Sequence, residues 1–251
     1  MARPTAIVTG ASRGIGRSIA IELARTHQVI ATYKSRRDAA ETLAAEAAVE
    51  IFQCDVASRE DRIALVAFAQ TKFQHLDLLV NNAGMAPRER RDVLESSEES
   101  MDELIDTNLK GPHWLTRDIA RWMIESRAIE RNRQSRIVFI TSISAYAVSV
   151  NRAEYCISKA GLSMSAAVWS QRLASENIGV FEIRPGIIRT DMIARVEKDY
   201  QERIRGGLLP QGRLGEPADV AQAVRVIADG LLDYSAGQVI NVDGGFHLRN
   251  L

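Results

Sequence analysis

The chain carries no excess of charge. Its 251 residues hold 32 basic and 32 acidic side chains, a formal net charge of zero, so it lacks the basic surplus with which a nucleic-acid binder neutralises phosphates. Long apolar runs are missing as well. None approaches the roughly 18 residues that a membrane-spanning helix needs, and Met1-Ala2-Arg3-Pro4 leads into a short β-rich run rather than an apolar leader. Cysteine is scarce: Cys54 and Cys156 stand far apart, with no metal-ligand spacing and no disulfide framework. These absences point to a reducing cytosol, no metal site, no membrane and no nucleic acid. His27, His75, His113 and His247 fall in no recognisable motif. There is no internal repeat, low-complexity block or long linker, and a single α/β domain of this length is ordinary.

What the chain does have is 46% apolar residues, enough for a large core, and a regular alternation of short β-rich runs with longer helical patterns. The runs cover 5–9, 28–32, 50–53, 76–81, 136–140, 178–183 and 238–242; helical stretches cover 16–25, 39–48, 59–73, 101–123, 154–176 and 217–229. Strands separated by helices pair in parallel, because a parallel crossover needs a dozen or more residues. The expectation is one domain over 1–251, a Rossmann-type doubly wound parallel sheet of about seven strands with helices on both faces. Two stretches break the rhythm. Residues 126–135 are polar, and 184–215 are long and rich in glycine and proline, where a substrate lid near 190–215 is expected.

After the first run comes Thr9-Gly10-Ala11-Ser12-Arg13-Gly14-Ile15-Gly16. A glycine turn opening a helix lets a pyrophosphate approach backbone N–H groups where the helix dipole favours anions. The structural alternative is a tight turn with no ligand. Gly10-Ala11-Ser12-Arg13-Gly14 also fits G-x-S-x-G, the nucleophile elbow of serine hydrolases. That reading fails on context: no earlier strand–helix loop exists to complete an oxyanion hole, and no histidine stands in a partnering motif.

Tyr155 and Lys159 are four apart in a helical stretch, so they share a face about one turn apart. An ammonium about 4 Å from a phenol, at an effective dielectric of about 20, contributes on the order of 4 kcal/mol toward the phenolate. A phenol tuned in this way is a general acid–base for a carbonyl–alcohol pair. Ser142 follows the run 136–140; a hydroxyl at a strand's C-terminal end points into the ligand crevice of such a sheet. Taken alone, Tyr-x-x-x-Lys is more often a surface pair.

The glycine turn, Asn81-Asn82-Ala83-Gly84, Asn108 within Thr107–Gly111, Ser142, Tyr155-Cys156-Ile157-Ser158-Lys159, the stretch Arg184 to Thr190 and Gly237 to Gly245 occur in order over nearly the whole chain. Together they resemble the short-chain dehydrogenase/reductase family. The resemblance implies hydride transfer between a nicotinamide dinucleotide and a ketone or secondary alcohol. It makes Tyr155 the acid–base and Ser142 the group that orients the substrate oxygen. Lys159 lowers the tyrosine pKa and holds the nicotinamide ribose, and Asn108 joins a water-linked relay through Lys159. It places Gly10, Ser12, Arg13, Gly14, Ile15 and Gly16 at the pyrophosphate, and Asn81, Ala83 and Gly84 under the adenine ribose. Asp55 and Val56 border the adenine; Pro185, Gly186, Ile188 and Thr190 line the nicotinamide. It also implies a homotetramer packed through 101–123 and 154–176.

Within the family the likeness is greatest to 3-oxoacyl-(acyl-carrier-protein) reductases, which implies a carrier-protein or CoA thioester as substrate. Two features depart from them. Residues 145–154 carry Tyr146, Asn151, Arg152 and Glu154 where those reductases are glycine-rich, and Glu176 stands where they tend to be basic. A sugar, polyol or hydroxy-acid derivative is therefore a second reading. A dinucleotide-sensing regulator without catalysis is a third, opposed by the presence of both Tyr155 and Lys159. At the end of the second run, where an acid would bind the ribose 2′-OH of NAD, the chain reads Thr32-Tyr33-Lys34-Ser35-Arg36-Arg37. Lys34 and Arg36, with Arg13, suit a 2′-phosphate, so NADP(H) is expected over NAD(H).

Overall fold

A computed structural model describes residues 3–127 and 134–248. Seven strands form one parallel sheet: β1 (Thr5–Val8), β2 (Gln28–Tyr33), β3 (Glu50–Gln53), β4 (Leu78–Asn81), β5 (Ser135–Ile140), β6 (Ile178–Pro185) and β7 (Val239–Val242). Their order is β3-β2-β1-β4-β5-β6-β7. The direction of winding reverses between β1 and β4, and at such a switch point the strand ends leave a crevice. The helices are α1 (Gly14–Ala24), α2 (Arg37–Ala47), α3 (Arg59–Lys72), α4 (Glu98–Ile105), α5 (Gly111–Arg127), α6 (Ala153–Leu173), α7 (Glu197–Arg205) and α8 (Pro217–Ala228).

Strand alternation splits the core in two. Ala6, Val8, Leu78 and Val80 face one side and pack on Ile19 and Leu23 of α1, Leu43 of α2 and Val224 of α8. Ile7, Leu79, Ile137 and Phe139 face the other and pack on Leu65 of α3, Leu115 of α5 and Leu162 of α6. Side chains of period two have buried both faces, as the near-continuous apolar strands require. The fold is the doubly wound single domain expected from the alternation of runs.

Two stretches take a form that the pattern of runs does not specify. Residues 101–123 are helical throughout, as expected, but the pitch changes within them: α4 passes into α5 through a π-helical turn, Asp106–Lys110, which contains the buried Asn108. Such a turn inserts an extra residue and often marks a functional site. Residues 184–215, which start within β6, carry structure of their own. The segment contains α7, and Ile187, Ile204, Leu209 and Leu214 form a small apolar cluster with Tyr200 and Phe246 packed against it. The base is tied by a bridge between Ile188 and Gly215. Of the polar stretch 126–135, residues 128–133 lie outside the described residues.

Candidate active site

The strand ends and the segment after β6 enclose a cleft of about 510 Å³. Its nucleotide end starts at the glycine turn. Gly10 takes φ +65° and Gly14 φ +56°, values that L side chains resist. A methyl on Gly10 would lie 2.8 Å from the Ala83 Cα, and one on Gly16 would collide with the Asn82 amide and the Gly10 carbonyl. The turn is pinned by its neighbours: Asn82 Nδ2 donates to the Thr9 and Gly10 carbonyls at 2.9 and 3.1 Å, and the Asn82 and Ala83 N–H groups donate to Thr9 Oγ1 at 3.0 Å each. The N–H groups of the first turn of α1 have no intrahelical acceptors. Arg13 gives no side-chain cap, and no acid stands in that turn. Bare donors, a positive dipole end and a floor without side chains fit a dinucleotide pyrophosphate.

The cleft wall includes Gly10, Ser12, Arg13, Gly14, Ile15, Gly16, Lys34, Arg36, Asp55, Val56, Ala83, Gly84, Pro185, Gly186, Ile188 and Thr190, all expected from the sequence. Asn81 is the exception. It is buried, and its Nδ2 donates to Thr116 Oγ1 of α5 at 2.8 Å. Asn81 shares the parity of Leu79, so alternation turns it away from the ligand and leaves Asn82 at the cleft. The basic side chains at this end are already paired: Arg13 with Asp191 at 3.1 Å, Lys34 with Asp55 at 2.6 Å and Arg36 with Asp38 at 3.3 Å.

Ser142, Tyr155 and Lys159 meet on the opposite wall. Ser142 caps the turn after β5, where its Oγ accepts from Ser144 N–H at 3.0 Å. Tyr155 lies in the first turn of α6 and is 7% exposed; Lys159, one turn on, is 4% exposed. Lys159 Nζ donates to the Ile140 carbonyl at 3.2 Å and stands 5.8 Å from the Tyr155 ring centroid. Here the expected lowering of the phenol is corrected. Burial raises Tyr155 above the ordinary phenol value, while the Ser142 hydroxyl and the Arg152 guanidinium pull it down; Lys159 is not among the groups that lower it. Desolvation of both groups outweighs their coupling. Burial also lowers Lys159 to about 8, opposed by the charge of Glu182. Glu182 is itself buried between Thr141, Ser163 and Arg184.

Asn108 does not line the cleft but braces it. Its Oδ1 accepts from Met85 N–H at 2.8 Å, and its Nδ2 donates to the Met85 carbonyl at 2.9 Å and to Ser158 Oγ at 3.0 Å. A methyl on Gly84 would touch both Asn108 Oδ1, at 3.1 Å, and Lys159 Nζ, at 3.4 Å, so the two polar groups approach one glycine.

A site with a glycine-floored nucleotide end and a Ser–Tyr–Lys wall agrees with the matches to known proteins. Residues 10–247 match the family described as enoyl-(acyl carrier protein) reductase. The chain belongs to the short-chain dehydrogenase/reductase family. It is 33% identical over 250 residues to a 3-oxoacyl-(acyl-carrier-protein) reductase of Staphylococcus epidermidis, covering 97% of this chain and 99% of that one. It is 33% identical to nodulation protein G of a Rhizobium species, covering 96% and 95%. A crystal structure of a 3-oxoacyl-(acyl-carrier protein) reductase from Brucella melitensis in complex with NAD superposes with a TM-score of 0.93, at 38% identity and full coverage of both chains. The chain is therefore an oxidoreductase that acts on CH–OH or ketone groups with a nicotinamide cofactor.

Polar cleft residues that the sequence reading did not assign include Asn82, Arg90, Tyr200 and Arg203. Asn82 was legible from strand parity. The other three come from irregular or lid segments, where no periodicity assigns a direction.

Proposed function

We propose that this enzyme reduces the ketone of a 3-oxoacyl compound to the secondary alcohol, with NADPH preferred over NADH, as a cytosolic homotetramer. The observation that carries the reading is the convergence of Ser142, Tyr155 and Lys159 on the wall facing the glycine turn; the names of the relatives supply the substrate class. When bound, the reduced nicotinamide supplies the hydride. Ser142 holds the ketone oxygen. Tyr155, kept neutral by burial, gives its proton to that oxygen as negative charge develops there. Lys159 is mostly charged at neutral pH, given its value of about 8, and offsets the tyrosinate charge. Asn108, which approaches Lys159 across Gly84, joins the relay that returns the proton through Lys159.

The nucleotide preference rests on Lys34, Ser35 and Arg36, which replace the acid expected after β2 in an NAD site. Their present partners are partly or fully exposed. Such pairs contribute little and yield to a doubly charged phosphate. The segment that carries α7 closes over the substrate, with Met192, Ile193 and Tyr200 on the cleft. Assembly uses the outer faces of α5 and α6, where Trp114, Met164 and Val168 are exposed. A polar small molecule is the second reading, favoured by Arg152 in the cleft wall.

The test is consumption of reduced nucleotide against a panel of ketones, run with NADPH and with NADH. The panel holds 3-oxoacyl thioesters, small 3-oxo acids and their esters, and keto sugars. Turnover of a 3-oxo compound with NADPH ahead of NADH is expected; no turnover of any ketone contradicts the reading.

A further inference from the structure

The cations of the cleft fall into two groups. Arg13, Lys34 and Arg36 at the nucleotide end each face a carboxylate at 2.6–3.3 Å. Arg90, Arg152 and Arg203 also line the cleft, yet none of them forms an ion pair among the described residues. Among the described residues the acids in the cleft wall are Asp55 and Asp191, already bound to Lys34 and Arg13. The substrate half of the cleft therefore has positive charge with no internal counter-charge.

Arg152 is the member placed closest to the chemistry. It ends the turn before α6, is half-buried, and its guanidinium carbon lies 5.4 Å from the Tyr155 ring centroid. A half-buried guanidinium with a ring face beside it but no carboxylate regains only part of the hydration it loses. An anionic oxygen group on a ligand corrects that, and a guanidinium fork suits a carboxylate in a bidentate bond. Because Arg152 sits against the ring of the acid–base, an anion bonded to it is only a few bonds from the carbonyl held at the Tyr155 hydroxyl. Arg203 of α7, whose guanidinium lies 5.9 Å from the Tyr200 ring centroid, and Arg90 are exposed and stand at the rim.

We propose that Arg152 forms an anion subsite that selects ketones bearing a carboxylate close to the reacting carbonyl, short-chain oxo acids, over the corresponding neutral esters. The proposal rests on the hydride-transfer reading above and narrows its substrate class. The phosphate of a pantetheine arm is the other possible source of anionic oxygen; it is too far from its thioester carbonyl to reach Arg152 and meets only the rim arginines.

The test compares 3-oxobutanoate with its methyl ester, and acetoacetyl-pantetheine with its 4′-phosphorylated form, in wild type, Arg152→Gln and Arg152→Lys. Folding is checked by thermal melting. Wild type is expected to favour 3-oxobutanoate over the ester by at least about tenfold in kcat/KM, the scale of one charge-assisted contact. Arg152→Gln abolishes that preference through KM and Arg152→Lys restores part of it; a loss common to acid and ester, from the effect of Arg152 on Tyr155, divides out of the ratio. Equal losses for acid and ester, with a shifted pH profile, mean that Arg152 only tunes Tyr155 and overturn the proposal. A preference for the phosphorylated pantetheine thioester that Arg152→Gln removes also overturns it, by assigning Arg152 to the phosphate. Binding of 3-oxobutanoate to the enzyme–NADP+ complex, read by calorimetry, separates this proposal from the broader reading. Binding that needs Arg152 supports the subsite even where no ketone is reduced, whereas no binding together with ester turnover sinks the subsite and leaves the reductase standing.

Discussion

The two ends of the cleft are built from different materials. The nucleotide end is made of backbone: a turn of glycines, bare amides of α1, and side chains such as Thr9 and Asn82 that hydrogen-bond the main chain rather than the ligand. Its charges are mutually satisfied. The substrate end is made of side chains, namely Ser142, Tyr155, Lys159 and Arg152, held on α6 and on the turns that flank it, with charges left open to a ligand. The contrast teaches where specificity lies. A backbone site recognises what every dinucleotide shares, while the open charges of the other end choose the partner molecule. Arg13 and Asp191 join the glycine turn to the segment after β6 through an exposed ion pair.

Substitutions break this comparison in opposite directions. Tyr155→Phe removes the ionisable hydroxyl and keeps the ring; kcat falls at least about a hundredfold, and nucleotide affinity measured by fluorescence titration stays within experimental scatter of wild type. Gly16→Val does the reverse. Its added methyls strike Asn82 and the Gly10 carbonyl, an overpacking worth about 1–3 kcal/mol. Nucleotide affinity drops by roughly five- to a hundredfold, while kcat at saturating nucleotide holds. The smallest effect is the most selective. Lys34→Ala with Arg36→Ala weakens NADPH by about tenfold and leaves NADH nearly untouched, as read from the ratio of the two kcat/KM values. Equal weakening of both nucleotides would return these residues to an ordinary surface turn.

The nucleotide end was legible in the sequence because backbone chemistry writes itself in glycine spacing. Gly10, Gly14 and Gly16 announce a turn that no side chain may enter, and strand–helix alternation announces the parallel sheet. At Asn81 and Asn82 a motif says that residues cluster, and strand alternation adds that Asn81 is buried against Thr116 while Asn82 is in the cleft wall. The substrate end was read less completely. Tyr155 and Lys159 share a helix face as expected, but helix spacing does not report burial, and burial set both of their pKa values. The partners of Lys34 and Arg13, Asp55 and Asp191, come from distant segments, so the pairing waits on the fold. Within the expected lid, the short helix α7 was not legible: glycine and proline surround it, and its support, Phe246, lies near the end of the described chain.

The central claim is that hydride passes directly from the nicotinamide to a ketone carbon positioned by Ser142 and Tyr155. Reduction of a 3-oxo substrate with NADPH carrying deuterium on the transferred position of the nicotinamide ring tests it most directly, with the product read by mass spectrometry and proton NMR. The account predicts one deuterium, on the carbinol carbon, of a single stereochemistry. A product without deuterium there, or with hydrogen drawn from solvent at that carbon, would contradict it.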